Sequence, residues 1–213
     1  MREIDLRTWE RRDHFITYRE FDQPHFGMCA NVDITAFYPF VKDNGCSFTT
    51  AIIYVLSRAA NAIPQFRHRI RERTAVEHEV VHPSTTVLLE GDLFSFCMIE
   101  YTEKFSVFNA RAAESMAYVR KHPTLADKPG QDDLLFMTPI PWVSFTSIMH
   151  PLPSRPADSV PRLAWGKRLE DGTRLKMPLG VQGHHALMDG VHMGKFYAEV
   201  QDYLRNPVSI LSG

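Results

Sequence analysis

Gln182-Gly183-His184-His185-Ala186-Leu187-Met188-Asp189-Gly190 is the densest concentration of reactive groups in the chain, and it reads as the junction where a strand gives way to a helix. Downstream of it, Val191, Phe196, Val200 and Leu204 recur at helical spacing from Gly190 until Asn206-Pro207 ends the pattern. Upstream, two strand-like runs flank the turn Glu170-Asp171-Gly172. Elsewhere Ser47 is placed to cap a helix in which Phe48, Ile52, Val55, Ala59 and Ile63 form one apolar side and Pro64 marks the end. Another helix is expected from about Asn109 to His122, with Ala112, Met116 and Val119 inward and Pro123 beyond.

Strands are predicted over Thr85 to Leu89, Leu93 to Tyr101 and Leu134 to Ile148. The stretch Pro151 to Pro161 holds four prolines, which cannot donate to a ladder, so it is expected to be a surface loop. Helices interspersed with strands define an α/β chain of the α+β type. No repeat, low-complexity tract or long linker divides it, so 1–213 is read as a single domain.

With 213 residues and 44% hydrophobic side chains, the chain can bury a sizeable core. Its 24 basic and 25 acidic groups nearly cancel, which argues against nucleic acid or an anionic membrane surface as partner. Met1 to Arg7 mixes charges where a secretory signal needs an apolar run, and the most apolar window, Ala51 to Ile63, is too short to span a bilayer. A soluble, cytoplasmic protein is the expectation. Cys29, Cys46 and Cys97 are odd in number and widely spaced, which fits reduced, buried thiols rather than a disulfide framework or a zinc site.

Near pH 7 a neutral imidazole can take a proton from an alcohol, because its unperturbed pKa of roughly 6.5 is close to working pH. One of His184 and His185 is therefore a candidate general base. H-x-x-x-D-G is short enough to recur by composition in roughly one chain in fifty, so two bland readings stand beside it: a histidine satisfied at a strand end, and Asp189 as a helix cap. A metal reading would use His185, Asp189 and His192 on one helix face, but Gly190 argues for a bend between them. The chain holds no G-x-S-x-G elbow and no glycine-rich phosphate loop, which leaves serine-hydrolase and nucleotide chemistry without support.

Several further blocks, in order, carry a resemblance. They are Trp9-Glu10-Arg11-Arg12-Asp13-His14-Phe15, Val32-Asp33-Ile34-Thr35, Pro64-Gln65-Phe66-Arg67, Val81-His82-Pro83, Pro141-Trp142-Val143-Ser144-Phe145-Thr146-Ser147 and Met177-Pro178-Leu179, followed by the His184-His185-Ala186 and Asp189-Gly190 motif. Through them the chain resembles the chloramphenicol acetyltransferase family from Trp9 to the last helix. The resemblance implies a mixed β-sheet with helices packed on it, and a homotrimer with active sites at subunit interfaces. Acetyl-CoA would be the co-substrate, without a metal, and a small hydroxyl-bearing molecule the acceptor.

It further implies that His185 is the base and that Ser147 donates to the oxyanion formed as the acceptor attacks the thioester, in a ternary complex without an acyl-enzyme. Asp189 and Arg11 would pair as architectural support, with His184 structural. Tyr18, Phe26 and Phe94 align with acceptor-pocket residues and Lys167 with a lysine near the coenzyme. The histidines would come from one protomer and much of the pocket from its neighbour. Ala164 stands where typical members carry a threonine that organises a water near the oxyanion. Asp22 to His25 and Phe96 also depart from the usual pocket, which puts chloramphenicol itself in question as substrate.

A dihydrolipoyl acyltransferase core shares the same motif, but the opening block and the Pro141 to Ser147 block favour the antibiotic-type family, and a lipoyl domain is not found. A trimeric binding protein that holds a ligand without turning it over is the non-enzymatic alternative.

Overall fold

The computed structural model describes residues 1–126, 128–153 and 158–212. In chain order the elements begin β1 Arg2–Glu3, α1 Arg12–Tyr18, β2 His25–Asp33, α2 Phe37–Asp43, α3 Phe48–Ala62 and α4 Pro64–Arg67. There follow β3 His68–Arg71, β4 Thr74–Glu77, β5 His82–Leu88, β6 Phe94–Met98, α5 Phe105–Lys121 and β7 Leu134–Ile140. The chain closes with β8 Arg162–Gly166, β9 Leu169–Asp171, β10 Arg174–His184, α6 Gly190–Arg205 and α7 Pro207–Leu211. The main sheet runs in the order β2-β10-β8-β7-β5-β6, with β9 added to β10 as a hairpin. It is mixed, with β7 parallel to both β5 and β8 and every other pair antiparallel. A small sheet of β1, β4 and β3 stands beside it.

Alternation along the strands sorts side chains between the two faces. Leu135 and Met137 of β7, Leu163 and Trp165 of β8, and Leu179 and Val181 of β10 point into the main core. Helix α3 lies across that core, packed on β5, β7, α5 and α6. Ser47 caps it, its hydroxyl accepting from the Thr50 amide at 3.3 Å, as the sequence predicts. Ile52, Val55, Ala59 and Ile63 are buried as expected, yet so are Ala51, Ile53, Tyr54 and Ser57, so the helix is enclosed nearly all round rather than on one side. Ser57 remains compatible with the core because its hydroxyl donates to the Ile53 carbonyl at 2.7 Å.

Three expectations need correction. The Leu134 to Ile148 strand ends at Ile140, because Pro141 removes a ladder donor. The chain then crosses the opposite face of the sheet. In α6 the inward residues are Met193, Phe196, Val200 and Leu204, while Val191, in the first turn, is 59% exposed. The expected loop from Pro151 to Pro161 is irregular at both its described ends, and residues 154–157 lie outside the described residues. Only Cys97 of the three thiols is fully buried; Cys29 and Cys46 are half-buried, and all three are free.

The segment over the sheet comes unusually close to it. The Lys167 amide donates to the Val143 carbonyl at 2.9 Å. A Cβ on Gly166 would stand 2.8 Å from that same carbonyl, and one on Gly180 would stand 2.5 Å from Ile148 Cγ2. Only glycine admits this approach, so these two positions fix how residues 143–148 rest on β8 and β10.

Candidate active site

His184 is the last residue of β10 and faces His25 of β2, the two rings edge to face with centroids 5.0 Å apart. The chain then turns sharply. The His185 amide donates to the Pro24 carbonyl at 2.8 Å, and the Leu187 amide returns to the His184 carbonyl at 2.9 Å. Asp189 opens α6 as its N-cap. Its carboxylate accepts from the Val191 amide at 3.2 Å, and its own amide donates to His192 Nδ1 at 3.1 Å. This is a reciprocal cap with histidine in the place usually held by glutamate or glutamine.

Asp189 is thus a helix cap, and it also pairs with an arginine. Arg11, just before α1, spans almost the whole sequence to reach this turn. Its Nη1 lies 2.7 Å from Asp189 Oδ2, its Nη2 donates to the His185 carbonyl at 2.8 Å, and its Nε donates to the Ala186 carbonyl at 3.1 Å. With its side chain 10% exposed, Arg11 is no solvated helix charge. Because α6 begins at Gly190, His185 and Asp189 both precede it, so the three residues of the metal reading do not share a helix.

The tautomer of His185 follows from its neighbour. Nδ1 is 3.0 Å from the Met188 carbonyl, which can only accept, so Nδ1 carries the proton. In the neutral ring the lone pair is then on Nε2. Tyr18 stacks on the imidazole at 4.1 Å and Phe26 leans on it at 4.7 Å. His184 is built differently. It is 1% exposed, its Nδ1 accepts from the Ala186 amide at 3.2 Å, and its Nε2 is shielded with no hydrogen-bond partner among the described residues. Burial, assisted by His25, pushes its pKa down to about 3, so it stays neutral.

The remaining expected residues lie elsewhere. Ser147 is exposed on the segment that crosses the sheet, next to Ile148 over Gly180. Gly180 is five residues before His185, roughly 16 Å along a strand. Phe94 is on β6, four strands from β10, and its register row meets β10 near Pro178. At about 4.8 Å per strand and 3.3 Å per residue, it stands roughly 30 Å from His185. So Tyr18 and Phe26 belong to the His185 corner, whereas Phe94 belongs to the opposite one.

Phe94 and Lys167 share a cavity of about 1000 Å³ on the open face, walled mainly by aromatic and aliphatic side chains including Phe96, Phe136 and Trp142. Lys167 and Arg168 are exposed cations at its rim, the Arg168 guanidinium 4.5 Å over the Tyr38 ring. Ala164 is fully buried in β8, opposite Gly180. The sequence reading missed the polar end of this cavity, where His150, Asp158 and Arg162 gather. An arginine opening the apolar run Leu163-Ala164-Trp165 was the available signal.

Comparison with known proteins gives a consistent result. The family model described as chloramphenicol acetyltransferase matches residues 1–201. A chloramphenicol acetyltransferase of Klebsiella sp is 32% identical over 201 residues, covering 94% of this chain and 92% of its own length. One from Proteus mirabilis is 30% identical, covering 94% and 93%. Among solved structures, a chloramphenicol acetyltransferase superposes with a TM-score of 0.85 at 28% identity, over 96% of this chain and 100% of that one. The cubic core of a pyruvate dehydrogenase multienzyme complex shares the fold, with a TM-score of 0.69 at 19% identity over 92% and 88%.

Proposed function

Because the chain belongs to the chloramphenicol acetyltransferase family and is an acyltransferase, we propose that it moves an acetyl group from acetyl-CoA to a hydroxyl of a small, partly apolar acceptor, with His185 as general base. The observation that carries this reading is the contact between His185 Nδ1 and the Met188 carbonyl, 3.0 Å long. It commits the proton to Nδ1 and leaves a lone pair on Nε2, the form of imidazole that can accept a hydroxyl proton. Tyr18 and Phe26 hold the ring by its faces, so little freedom is lost when the acceptor binds.

Acetyl-CoA supplies an acetyl group already activated as a thioester. The chemistry of the open face suits such a molecule, since an apolar cavity accepts its aliphatic arm and the exposed Lys167 and Arg168 suit its phosphates. As the acceptor oxygen attacks, His185 Nε2 takes its proton, and the Ser147 hydroxyl donates to the carbonyl oxygen that gains charge. Transfer is direct, within a ternary complex: the carbon–sulfur bond breaks as the tetrahedral intermediate collapses, and the departing thiolate takes up the proton held on His185 Nε2, which restores the base. Arg11 and Asp189 act through His185 by fixing the turn that carries it, three contacts from one guanidinium holding the carbonyls of 185 and 186 and the cap of α6.

Within one chain the His185 corner and the Phe94 corner are too far apart to serve one acceptor. A second copy in a homotrimer would bring them together, so His185 of one subunit works beside Ser147, Phe94 and Lys167 of the next. Among the described residues no helix is long and apolar enough to cross a membrane, and a cytoplasmic site of action fits a chain that uses acetyl-CoA.

The test is release of free thiol from acetyl-CoA with chloramphenicol and other primary alcohols as acceptors. Turnover should fall by several orders of magnitude in His185→Ala while the thermal transition is kept. Wild-type turnover in that variant would remove the base assignment.

A further inference from the structure

The peptide between Met188 and Asp189 joins two histidines. Its carbonyl accepts from His185 Nδ1 at 3.0 Å, and its amide donates to His192 Nδ1 at 3.1 Å. His192 lies in the first turn of α6, three residues after the N-cap, with its side chain 13% exposed. A backbone N–H has a fixed direction, and this one is aimed at Nδ1, so that nitrogen holds the lone pair and Nε2 the proton. Among the described residues the Asp189 amide has no other acceptor.

A peptide unit is planar, so its two ends cannot turn independently. While His192 accepts at the amide, the Met188 carbonyl stays aimed at His185 Nδ1, and polarisation along the chain of hydrogen bonds makes that carbonyl a better acceptor. The lone pair of His185 then stays on Nε2. A second arrangement is within reach, because His192 Nδ1 lies 3.0 Å from Asp189 Oδ1. One nitrogen cannot serve both contacts: once protonated, Nδ1 donates to the carboxylate and leaves the amide without a partner. The charged and titratable groups around the ring are Asp189 of its own cap, Arg11 from the segment before α1, Lys195 further along α6 and His68 of β3. Burial, helped by Arg11 and Lys195, outweighs Asp189 and holds the His192 pKa below the ordinary 6.5, so the ring is neutral at pH 7. His68, pushed down to about 4 chiefly by burial, stays neutral over the same range.

We infer that His192 is a positioning residue for acyl transfer: neutral, it holds the 188–189 peptide and with it the orientation and tautomer of His185, and protonated, it lets that peptide go. Acid then weakens the base in two ways, by protonating His185 itself and by loosening the turn that carries it. The inference rests on the acyl-transfer reading and names what steadies its base, while the tautomer of His185 tests the hold whether or not acetyl is transferred. Glutamine suits the place of His192, since its Oε1 accepts from the cap amide and does not titrate. Leucine fills the space and accepts nothing.

The experiment compares the full-length wild type, His192→Gln and His192→Leu, each first checked for a cooperative thermal transition. Proton–nitrogen correlation spectra of protein carrying isotope-labelled histidine, with the His185 signals identified by their loss in His185→Ala, report which ring nitrogen holds the proton. At neutral pH His185 should be protonated at Nδ1 in the wild type and His192→Gln, and His192→Leu should show a mixture of both tautomers. In thiol release from acetyl-CoA with chloramphenicol, kcat should fall about 10- to 100-fold in His192→Leu and stay within about 3-fold of wild type in His192→Gln, with KM for acetyl-CoA unchanged in both. Below pH 6.5 the wild-type kcat should decline more steeply than that of His192→Gln, in which His185 alone titrates at this turn. An unchanged His185 tautomer in His192→Leu, equal losses in the two variants, or the same acid decline in wild type and His192→Gln overturns the inference. If His192→Leu does not fold, the acid decline of His192→Gln decides. A tautomer change in a protein that releases no thiol with chloramphenicol or other primary alcohols would support the hold of His192 on His185 and instead sink the acyl-transfer reading.

Discussion

Arg11 Nη1 and Asp189 Oδ2 lie 2.7 Å apart, and the same guanidinium holds the carbonyls of His185 and Ala186. One side chain at the start of the sequence therefore sets the geometry of the turn at its end. Arg11→Met leaves a partly exposed carboxylate and two carbonyls without their partner and should cost about 1 to 3 kcal/mol. Chemical denaturation should register that loss. If His185 is the base, kcat for thiol release should fall while KM for acetyl-CoA stays near wild type.

The same pair gives an acid dependence. Burial would raise the Asp189 carboxyl, but the Arg11 hydrogen bond, the charges of His192 and Arg11 and the Val191 amide together hold it below the ordinary 3.8. A lowered folded pKa means that its stabilisation is complete above 3.8 and is lost as pH falls through the folded value. Asp189→Asn should accordingly lose stability at neutral pH and show a flatter decline below pH 4 in thermal melts.

His184 works over a different range. With its folded pKa pushed down to about 3 against an ordinary 6.5, the unfolded chain binds a proton that the folded chain refuses. Its contribution is full above pH 6.5 and is lost as pH falls toward 3, at up to about 1.4 kcal/mol per pH unit. His184→Gln should be less stable at pH 7 and should lose less on going to pH 5, as followed by differential scanning calorimetry.

Ser147 is exposed, so its removal should leave folding untouched. As an oxyanion donor it should matter for rate: Ser147→Ala is expected to lower kcat roughly 10²- to 10³-fold with little change in either KM. A loss under about 3-fold would exclude that role.

If His185 and Ser147 serve one site from different subunits, inactive chains should rescue one another. Co-expressed His185→Ala and Ser147→Ala chains should regain roughly a quarter of wild-type sites by random assortment in a cyclic oligomer. Recovery no greater than the sum of the two parents would place both residues in one chain's site.

Much of this was legible in the sequence where one local rule governed. Ser47 and Pro64 bracket α3 within a residue, and the Glu170-Asp171-Gly172 turn joins β9 to β10. His185, Asp189 and Arg11 follow from the spaced blocks, and the structure brings them together. Strand β2 was not read as such because His25-Phe26-Gly27-Met28-Cys29-Ala30-Asn31 does not alternate, as befits an edge strand with few buried residues. The path of residues 141–148 looks like strand in the sequence because the approach to Gly166 and Gly180 is a tertiary fact with no local signature. The polar end of the cavity was missed for the same reason, since His150, Asp158 and Arg162 come from separate segments that only the folded sheet assembles.

Gly166 and Gly180 set the depth of that path by having nothing to offer it. A methyl at position 166 would meet the Val143 carbonyl at 2.8 Å and push on the backbone that leads to Ser147, and one at position 180 would meet Ile148 Cγ2 at 2.5 Å and displace the side chain next to that serine. A displacement of 1 Å at a reacting group can cost about 10²-fold in rate. The seating of the serine hydroxyl is thus held by two hydrogen atoms where other residues carry carbon, and alanine at either place should slow the chemistry without altering any group that takes part in it.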